Sequence, residues 1–440
     1  MAELDLECAG AAVGDAAGRV YRKVTLRLLP FLFICYVSAY LDRINVGFAQ
    51  LQMKQALGFS DAVYGLGAGI FFAGYFLFEV PSNLLLRRIG ARKTLSRIML
   101  LWGITSASMA FIASPTVFYV LRFLLGVFEA GLFPGVILYL TYWYPSRRRG
   151  QMMAVFLTAV AMAGVVGGPL SGWLMTRFDG AHTFAGWQWM FLIEGVPSAL
   201  LGVVTFFYLD DYPHAVRWLA PAEKALVATQ LRADQESGRR FRDHSFADAL
   251  RTPRVYGLAI AWFTYICGVY AISFWLPMLI RGAGVASPLA VGMYAAIPYG
   301  VAIMTMVATS RHSDATGERR LHTALYALIG AATLAAITHA GSNLALALVL
   351  LSIATATIFT LQPLFWATTT DMLGGTRAAA GTIAFINSLG LTGGFVSPFL
   401  LGWIKTATGS LTNGLYVIAG FLVVGALLAL RFPHRGNAAL

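Results

Sequence analysis

Long apolar stretches recur along nearly the whole chain, and a helix needs roughly 20 such residues to cross a bilayer. Hydrophobic residues make up 58% of the sequence and charged residues only 12%, which excludes an ordinary soluble domain. Membrane β-strands alternate apolar and polar residues, whereas these stretches do not. The sequence therefore predicts an all-α membrane protein with twelve transmembrane helices, near Val24–Gln50, Val63–Leu86, Thr94–Ala113, Val117–Tyr144, Gln151–Met175, Trp187–Tyr208, Val255–Ile280, Pro288–Thr309, Leu321–Thr338, Leu344–Thr368, Ala378–Ile404 and Thr412–Leu430.

The basic residues indicate how the helices are oriented. Of the 32 lysines and arginines, 26 fall in one set of alternate connections, four in the other set, and two, Arg43 and Arg122, within spans. Because positive loops stay in the cytoplasm, both termini are expected there, in an integral multi-pass plasma membrane protein. The net charge of +12 sits in short loops beside the bilayer without interleaved aromatic residues, so we expect no nucleic acid partner.

The sequence was also searched for the patterns of disulfide, metal and catalytic sites. The three cysteines, Cys8, Cys35 and Cys267, show no paired spacing, so neither a disulfide nor a metal site is expected. We find no glycine-rich nucleotide loop, no HExxH and no serine, histidine and acid set at a plausible depth. We therefore expect no cofactor and no enzymatic activity.

A polar segment at 209–253 divides the spans into two sets of six. The predicted organisation is a cytoplasmic N-terminal tail, a six-helix bundle, a cytoplasmic linker, a second six-helix bundle and a cytoplasmic tail, with bounds 1–23, 24–208, 209–253, 254–431 and 432–440.

Matching landmarks indicate that the two halves are repeats. Gly90 corresponds to Gly317, Gly164 to Gly390 and Gly172 to Gly402, and the members of each pair are 226 to 230 residues apart. Two pseudo-symmetric bundles around a site at mid-membrane depth are the architecture of a rocking transporter. The glycines at every fourth position from Gly164 to Gly172 form a smooth helix face, suited to tight packing or to sliding.

Four charged residues lie deep within spans, where each costs at least about 2.5 to 3.5 kcal/mol and is a functional candidate. Asp42 and Arg43 point about 100° apart on one helix. We expect Asp42 to approach Arg122 from a facing helix, while Arg43 faces the central cavity beside Tyr40. Arg122 and Glu129 share a helix face but lie about 10 Å apart, too far for direct contact.

The buried charges suggest that the protein binds an anion and transfers a proton. Arginine stays protonated and meets a carboxylate with two parallel hydrogen bonds, so Arg43 predicts an anionic substrate. Burial disfavours a charged carboxyl group and a nearby arginine favours it, so a change of exposure would load and unload a proton on Glu129. Two structural alternatives remain open: a permanent Asp42–Arg122 pair that holds helices together, and a Glu129 that only stabilises the bundle.

Four stretches, YLDRINVGFA, RRIGARKTL, RFLLGVFEAGLFPGVILYLTYWYP and SDATGERR, resemble the major facilitator superfamily. They are most similar to its anion:cation symporter family, whose members take up tartrate, phthalate, hydroxyphenylacetate and sugar acids, usually with protons. The resemblance spans about Tyr21 to Arg431 and implies the major facilitator fold in a bacterial inner membrane.

The resemblance also implies roles for individual residues. Family positions assign substrate binding to Tyr40, Arg43, Tyr75, Trp366 and Asn387, proton coupling to Asp42, Arg122 and Glu129, and gating to Arg88, Arg92, Asp314 and Arg319. From the residues alone, Tyr75 and Trp366 could equally be packing aromatics.

Two departures from the family pattern carry information. An acid usually precedes the basic pair of the loop motif, but Arg87 stands there, so a gating ion pair is expected in the second half at Asp314. The polar contact that the family has in its fifth span finds no counterpart in VFLTAVAMAGVVGG, which favours a smaller or aromatic carboxylate over a sugar acid.

The function predicted from the sequence is secondary transport. The chain is expected to work as a monomer in the lipid bilayer and to import a small organic carboxylate anion coupled to protons by alternating access. An organic-anion exchanger, a sodium-coupled carrier and a transporter-like receptor are the alternatives.

Overall fold

The computed structural model describes residues 2–238, 251–373 and 379–432. Its α-helices are α1 Ala2–Ile44, α2 Val46–Leu57, α3 Asp61–Ile89, α4 Ala91–Ser108, α5 Pro115–Glu129, α6 Leu132–Thr141, α7 Ser146–Arg177, α8 Gly186–Tyr208, α9 Pro221–Gly238, α10 Pro253–Gly282, α11 Pro288–Thr316, α12 Arg320–Ile337, α13 Leu344–Leu373, α14 Ala379–Thr408 and α15 Thr412–Ala429.

Eleven spans within the described ranges are long and apolar enough to cross a membrane, with α1 joined to α2 and α5 joined to α6. The remaining predicted span corresponds to α4, which carries Arg92, Lys93 and Arg97 in its first turns and is therefore less apolar. It nevertheless packs closely along α8, since a Cβ on Gly103 would lie 2.2 Å from the backbone nitrogen of Ala199. The all-α prediction is confirmed.

The polar segments differ in part from the prediction. Helix α1 begins at Ala2 and continues into the first predicted span, so residues 2–23 are helical. In the segment predicted as a linker, α9 lies against α1, where Lys23 Nζ is 3.0 Å from Glu223 Oε2. The rest of that segment, 239–250, and the tail from 433 onward lie outside the described residues.

Helix contacts define two bundles. In the first, α3 packs on α5, α4 on α8 and α1 on α7, and in the second α12 packs on α13 and α15, and α10 on α14. The bundles meet where α7 packs on α11 and α3 on α14. We call the end that carries 88–93, Arg148, Arg149 and 311–320 the basic end. The end with the glycine turns at Gly58, Gly180, Gly284 and Gly409 is the far end.

At the far end the two bundles touch backbone to backbone through glycines. A Cβ on Gly292 of α11 would lie 2.1 Å from the carbonyl oxygen of Gly168 in α7. A Cβ on Gly402 of α14 would lie 2.3 Å from the carbonyl oxygen of Asp61 in α3. The smooth faces predicted from the repeated glycines therefore lie between bundles, and they let the far end close.

Gly292→Val should prevent this closure, whereas Gly300→Val on the same helix should not. A side chain at position 292 must displace backbone, and such overpacking costs about 1 to 3 kcal/mol. Gly300 has nothing within 4 Å of a Cβ. We expect initial uptake in proteoliposomes to fall about tenfold or more for Gly292→Val. Equal rates for the two variants would contradict a role for this contact in the transport cycle.

Two spans break at the depth of the buried charges. Residue Asn45 interrupts the first span directly after Arg43 and Ile44. The fourth span breaks after Glu129 at Gly131, whose φ of 92° favours glycine and where a Cβ would lie 2.4 Å from Ser82 Oγ. Broken spans are tolerated where the freed backbone is buried in protein or lines a cavity. Both breaks are buried, and Arg43 and Glu129 each lie two residues before one of them.

Candidate functional site

A cavity of about 690 Å³ lies between the bundles, and its volume suits a small-molecule ligand. At its basic-end mouth it is lined by Gly150, Ser310, Arg311 and Thr370. All five residues predicted to bind substrate line its walls: Tyr40, Arg43, Tyr75, Trp366 and Asn387. The far end is closed by the glycine contacts, so the cavity opens toward the basic end.

Arg43 lies on the cavity wall among aromatic rings and is only 7% exposed. Its Cζ is 5.4 Å from the ring centroid of Tyr40 and 5.6 Å from that of Tyr75. Its Nη1 donates a 2.9 Å hydrogen bond to the hydroxyl of Tyr270 in the second bundle, and its Nη2 pairs with Glu129. Its buried Nε has no hydrogen-bond partner among the residues that the structure describes. The guanidinium thus joins both bundles and keeps an unused donor.

Glu129 is fully buried and makes its ion pair through one carboxylate oxygen only. The other oxygen, Oε2, is buried and has no hydrogen-bond partner within the described ranges. A buried carboxylate held by a single arginine depends strongly on that arginine for its charge. The charge of Glu129 therefore depends on its contact with Arg43.

Arg122 is fully buried and uses backbone carbonyls as partners. Its Nε donates to the carbonyl of Gly67 at 3.1 Å and its Nη2 to that of Ala68 at 3.2 Å, while its Cζ lies 5.2 Å from the ring centroid of Phe71. As the seven-residue spacing predicts, Arg122 and Glu129 have different partners.

The predicted pairing of Asp42 with Arg122 is wrong. Asp42 faces the interior of the first bundle, where Ser106 Oγ donates to it at 2.8 Å and Ser198 Oγ at 2.6 Å. It is 1% exposed and lies behind the wall of the cavity. The helix positions were predicted correctly, but Asp42 points to α4 and α8 rather than to α5.

Glu194, to which the sequence assigns no role, extends this polar network. Its Oε2 accepts a 3.0 Å hydrogen bond from Asn45 Nδ2 and its Oε1 a 2.7 Å bond from Ser171. Glu194 therefore ties the break in the first span to α7 and α8. The sequence shows a lone carboxyl group within an apolar span, but its partners Asn45 and Ser171 carry no charge that would reveal the contact.

The second bundle supplies an aromatic wall that the sequence reveals only in part. Trp366 packs edge-on against Trp262 with ring centroids 4.9 Å apart, and both rings line the cavity. Asn387 and Gln362 add amide groups to the same wall. Trp262 and Tyr270 were missed, because an aromatic residue inside an apolar span looks like ordinary packing.

The predicted gating residues lie at the basic end, each within its own half. Arg319 donates to Asp314 at 2.7 Å and also pairs with Asp371, all within the second bundle. Arg88 is exposed, and the guanidinium of Arg92 lies 4.9 Å from the ring centroid of Phe206. These contacts leave the basic end open, and the gating role stays a prediction.

Comparison with known proteins identifies the scaffold. The sequence profile of the Major Facilitator Superfamily matches residues 32–398. The chain is 47% identical over 421 residues to an Agrobacterium vitis protein named "Putative tartrate transporter", a match that covers 96% of this chain and 93% of that protein. It is 44% identical to "Putative metabolite transport protein NicT" of Pseudomonas putida, covering 94% and 95%. A solved bacterial homologue of the human lysosomal transporter Spinster shares the fold with a TM-score of 0.73 at 17% identity, covering 91% of this chain and 95% of that one.

Proposed function

The chain belongs to the Major Facilitator Superfamily and is a membrane transporter rather than an enzyme, and from that membership we propose that it imports a small organic carboxylate together with protons by alternating access. The observation that carries the proposal is the Arg43–Glu129 pair on the wall of the central cavity. The tartrate transporter name of the Agrobacterium vitis relative supports an organic anion as cargo.

Arg43 is the group that would bind the carboxylate. It keeps its charge at any relevant pH, and its planar fork matches a carboxylate. The unused Nε, together with the Nη2 that Glu129 now occupies, offers two adjacent donors to an incoming anion. The Tyr270 hydroxyl already orients the guanidinium from the second bundle. Substrate bound there would be held by both bundles at once.

Proton coupling follows from competition for Arg43. When a substrate carboxylate replaces Glu129 on the guanidinium, the displaced acid is left buried without its cation, and a proton neutralises it. Substrate and proton would then be bound together, and both would be released when Glu129 pairs with Arg43 again. The free energy for accumulation comes from the proton gradient, since binding only shifts the balance between conformations.

The cavity walls favour a cargo with an apolar or planar body. Phe72, Tyr75, Trp262 and Trp366 face the cavity, and aromatic rings pack well against flat ligands. This wall supports the preference for a smaller or aromatic carboxylate over a heavily hydroxylated sugar acid.

We place the basic end in the cytoplasm of a bacterial cell, because positively charged loops stay inside. The described conformation is then inward-facing, with both termini cytoplasmic and the protein in the inner membrane as a monomer. The Arg43–Glu129 pair would belong to the state that follows release of substrate and proton.

Uptake by proteoliposomes tests the proposal. We expect labelled tartrate, benzoate or both to accumulate when the lumen is made alkaline, and an imposed sodium gradient at equal pH to have no such effect. Accumulation with sodium alone would identify a sodium-coupled carrier instead. Exchange of labelled for unlabelled anion with no response to either gradient would identify an exchanger, and binding without flux a receptor.

A further inference from the structure

Basic residues are scarce at the far end, yet most of them gather where the bundles close. Of the four far-end lysines and arginines in the sequence, Lys54, Arg281 and Lys405 lie at this closure and Arg177 lies elsewhere, exposed. We call Lys54, Asp61, Arg281 and Lys405 the far-end seam.

At the far-end seam, the carboxylate of Asp61 forms ion pairs with two lysines. Oδ1 of Asp61 pairs with Lys54 and also lies 3.2 Å from Lys405 Nζ. The three side chains are 15% to 18% exposed, so water screens the pairs incompletely. Arg281 donates instead to the backbone carbonyl of Leu51. Among the residues that the structure describes, the seam thus carries more positive charge than Asp61 can balance.

The four seam residues are divided between the bundles. Lys54 and Asp61 belong to α2 and α3 of the first bundle, whereas Arg281 and Lys405 belong to α10 and α14 of the second. Opening the far end must separate Lys405 from Asp61 and Arg281 from Leu51. Lys54 and Asp61 can stay paired, because they move together. The two cations of the second bundle are then left without their present partners.

Lys405 is also held in place by an aromatic contact. Its Nζ lies 5.6 Å from the ring centroid of Trp275, a residue of α10 in the same bundle. Such a cation–π contact would persist when the bundles separate, because both residues move as one body. The ammonium group would therefore stay at the mouth of the opened cavity.

We propose that Arg281 and Lys405 form a carboxylate-capture site in the outward-open transporter, which holds the incoming anion before it reaches Arg43. This inference rests on the proposed import of an organic anion. In the closed far end the same residues bind Asp61 and Leu51, so closure behind the substrate also removes the capture site. A cationic mouth raises the rate at which anions associate, and salt weakens the effect.

The test compares transport in two directions. Right-side-out vesicles admit labelled tartrate or benzoate through the far end, and inverted vesicles admit it through the basic end. For Arg281→Gln and Lys405→Gln we expect KM to rise about fivefold to tenfold in right-side-out vesicles and to stay unchanged in inverted ones. The dependence of the right-side-out KM on ionic strength should become shallower.

Two controls separate capture from other effects. Arg177→Gln removes the same charge from the same end but away from the seam, and should leave KM unchanged. Lys405→Arg keeps the charge and should retain the wild-type KM, which a folding defect at this position would not allow.

Three results would overturn the inference. If the glutamine variants changed only the maximal rate, equally in both directions, the seam would be a latch and not a capture site. An unchanged KM with normal transport would also reject capture while leaving the proposed function intact. Wild-type vesicles that transport no carboxylate would reject both.

Discussion

Arg43→Ala should abolish carboxylate binding. The substitution removes the guanidinium from the cavity wall and leaves Glu129 buried without its ion-pair partner. Truncating the cationic partner of a carboxylate bound in a buried site costs about 3 kcal/mol, which corresponds to a loss of carboxylate affinity of about 100-fold. Calorimetric titration of the purified protein with tartrate or benzoate measures the effect. Arg43→Lys should also bind weakly, because an ammonium group cannot present two parallel donors.

A double variant separates binding from folding. Arg43→Ala combined with Glu129→Gln removes both buried charges, so its thermal stability should recover relative to Arg43→Ala alone. Its affinity should stay low, because the cation is still missing. If Arg43→Ala bound its anion within threefold of wild type, the cargo would be recognised elsewhere in the cavity.

Glu129→Gln should uncouple transport from the proton gradient. The amide can still accept a hydrogen bond from Arg43, but it cannot exchange a proton with water. We expect this variant to lose accumulation driven by a pH gradient, and to retain exchange of labelled for unlabelled substrate. Counterflow in proteoliposomes at equal pH measures the retained exchange.

Glu79→Gln is the matched control for Glu129→Gln. Glu79 is a buried acid on α3, and its Oε2 has no hydrogen-bond partner, but it is not paired with Arg43. This control should keep accumulating substrate on a pH gradient. Persistent accumulation by Glu129→Gln would show that another acid carries the proton, and Asp42 would then be the next candidate.

The sequence predicted the fold and the wall of the cavity better than the contacts between charges. Helical periodicity and composition located the spans, and the five residues assigned to substrate binding from family positions line one cavity. The prediction that Asp42 approaches Arg122 was wrong, because a position on a helix determines the direction of a side chain but not which neighbouring helix it faces. Ser106 and Ser198 satisfy Asp42 with hydroxyl groups, which leave no charge pattern in the sequence.

The direct pairing of Arg43 with Glu129 also required three-dimensional information. The two residues are 86 positions apart on different spans, and each was expected to have a functional partner of its own. Each residue lies two positions before a helix break, Arg43 before Asn45 and Glu129 before Gly131. Pro134 in the first turn of α6 is compatible with a helix start after Gly131, but the positive φ of Gly131 and the interruption at Asn45 are visible only in the structure.

In the proposed transport cycle, Glu129 would occupy Arg43 in the unloaded carrier in the way that a substrate carboxylate does in the loaded one. After it releases its substrate, a transporter must return to its starting conformation. An unpaired guanidinium in a closing cavity would oppose that change. With an internal anion in its place, the empty protein can reorient at little electrostatic cost. A protonated Glu129 without substrate would leave Arg43 bare and oppose the same movement, which would suppress futile proton leakage.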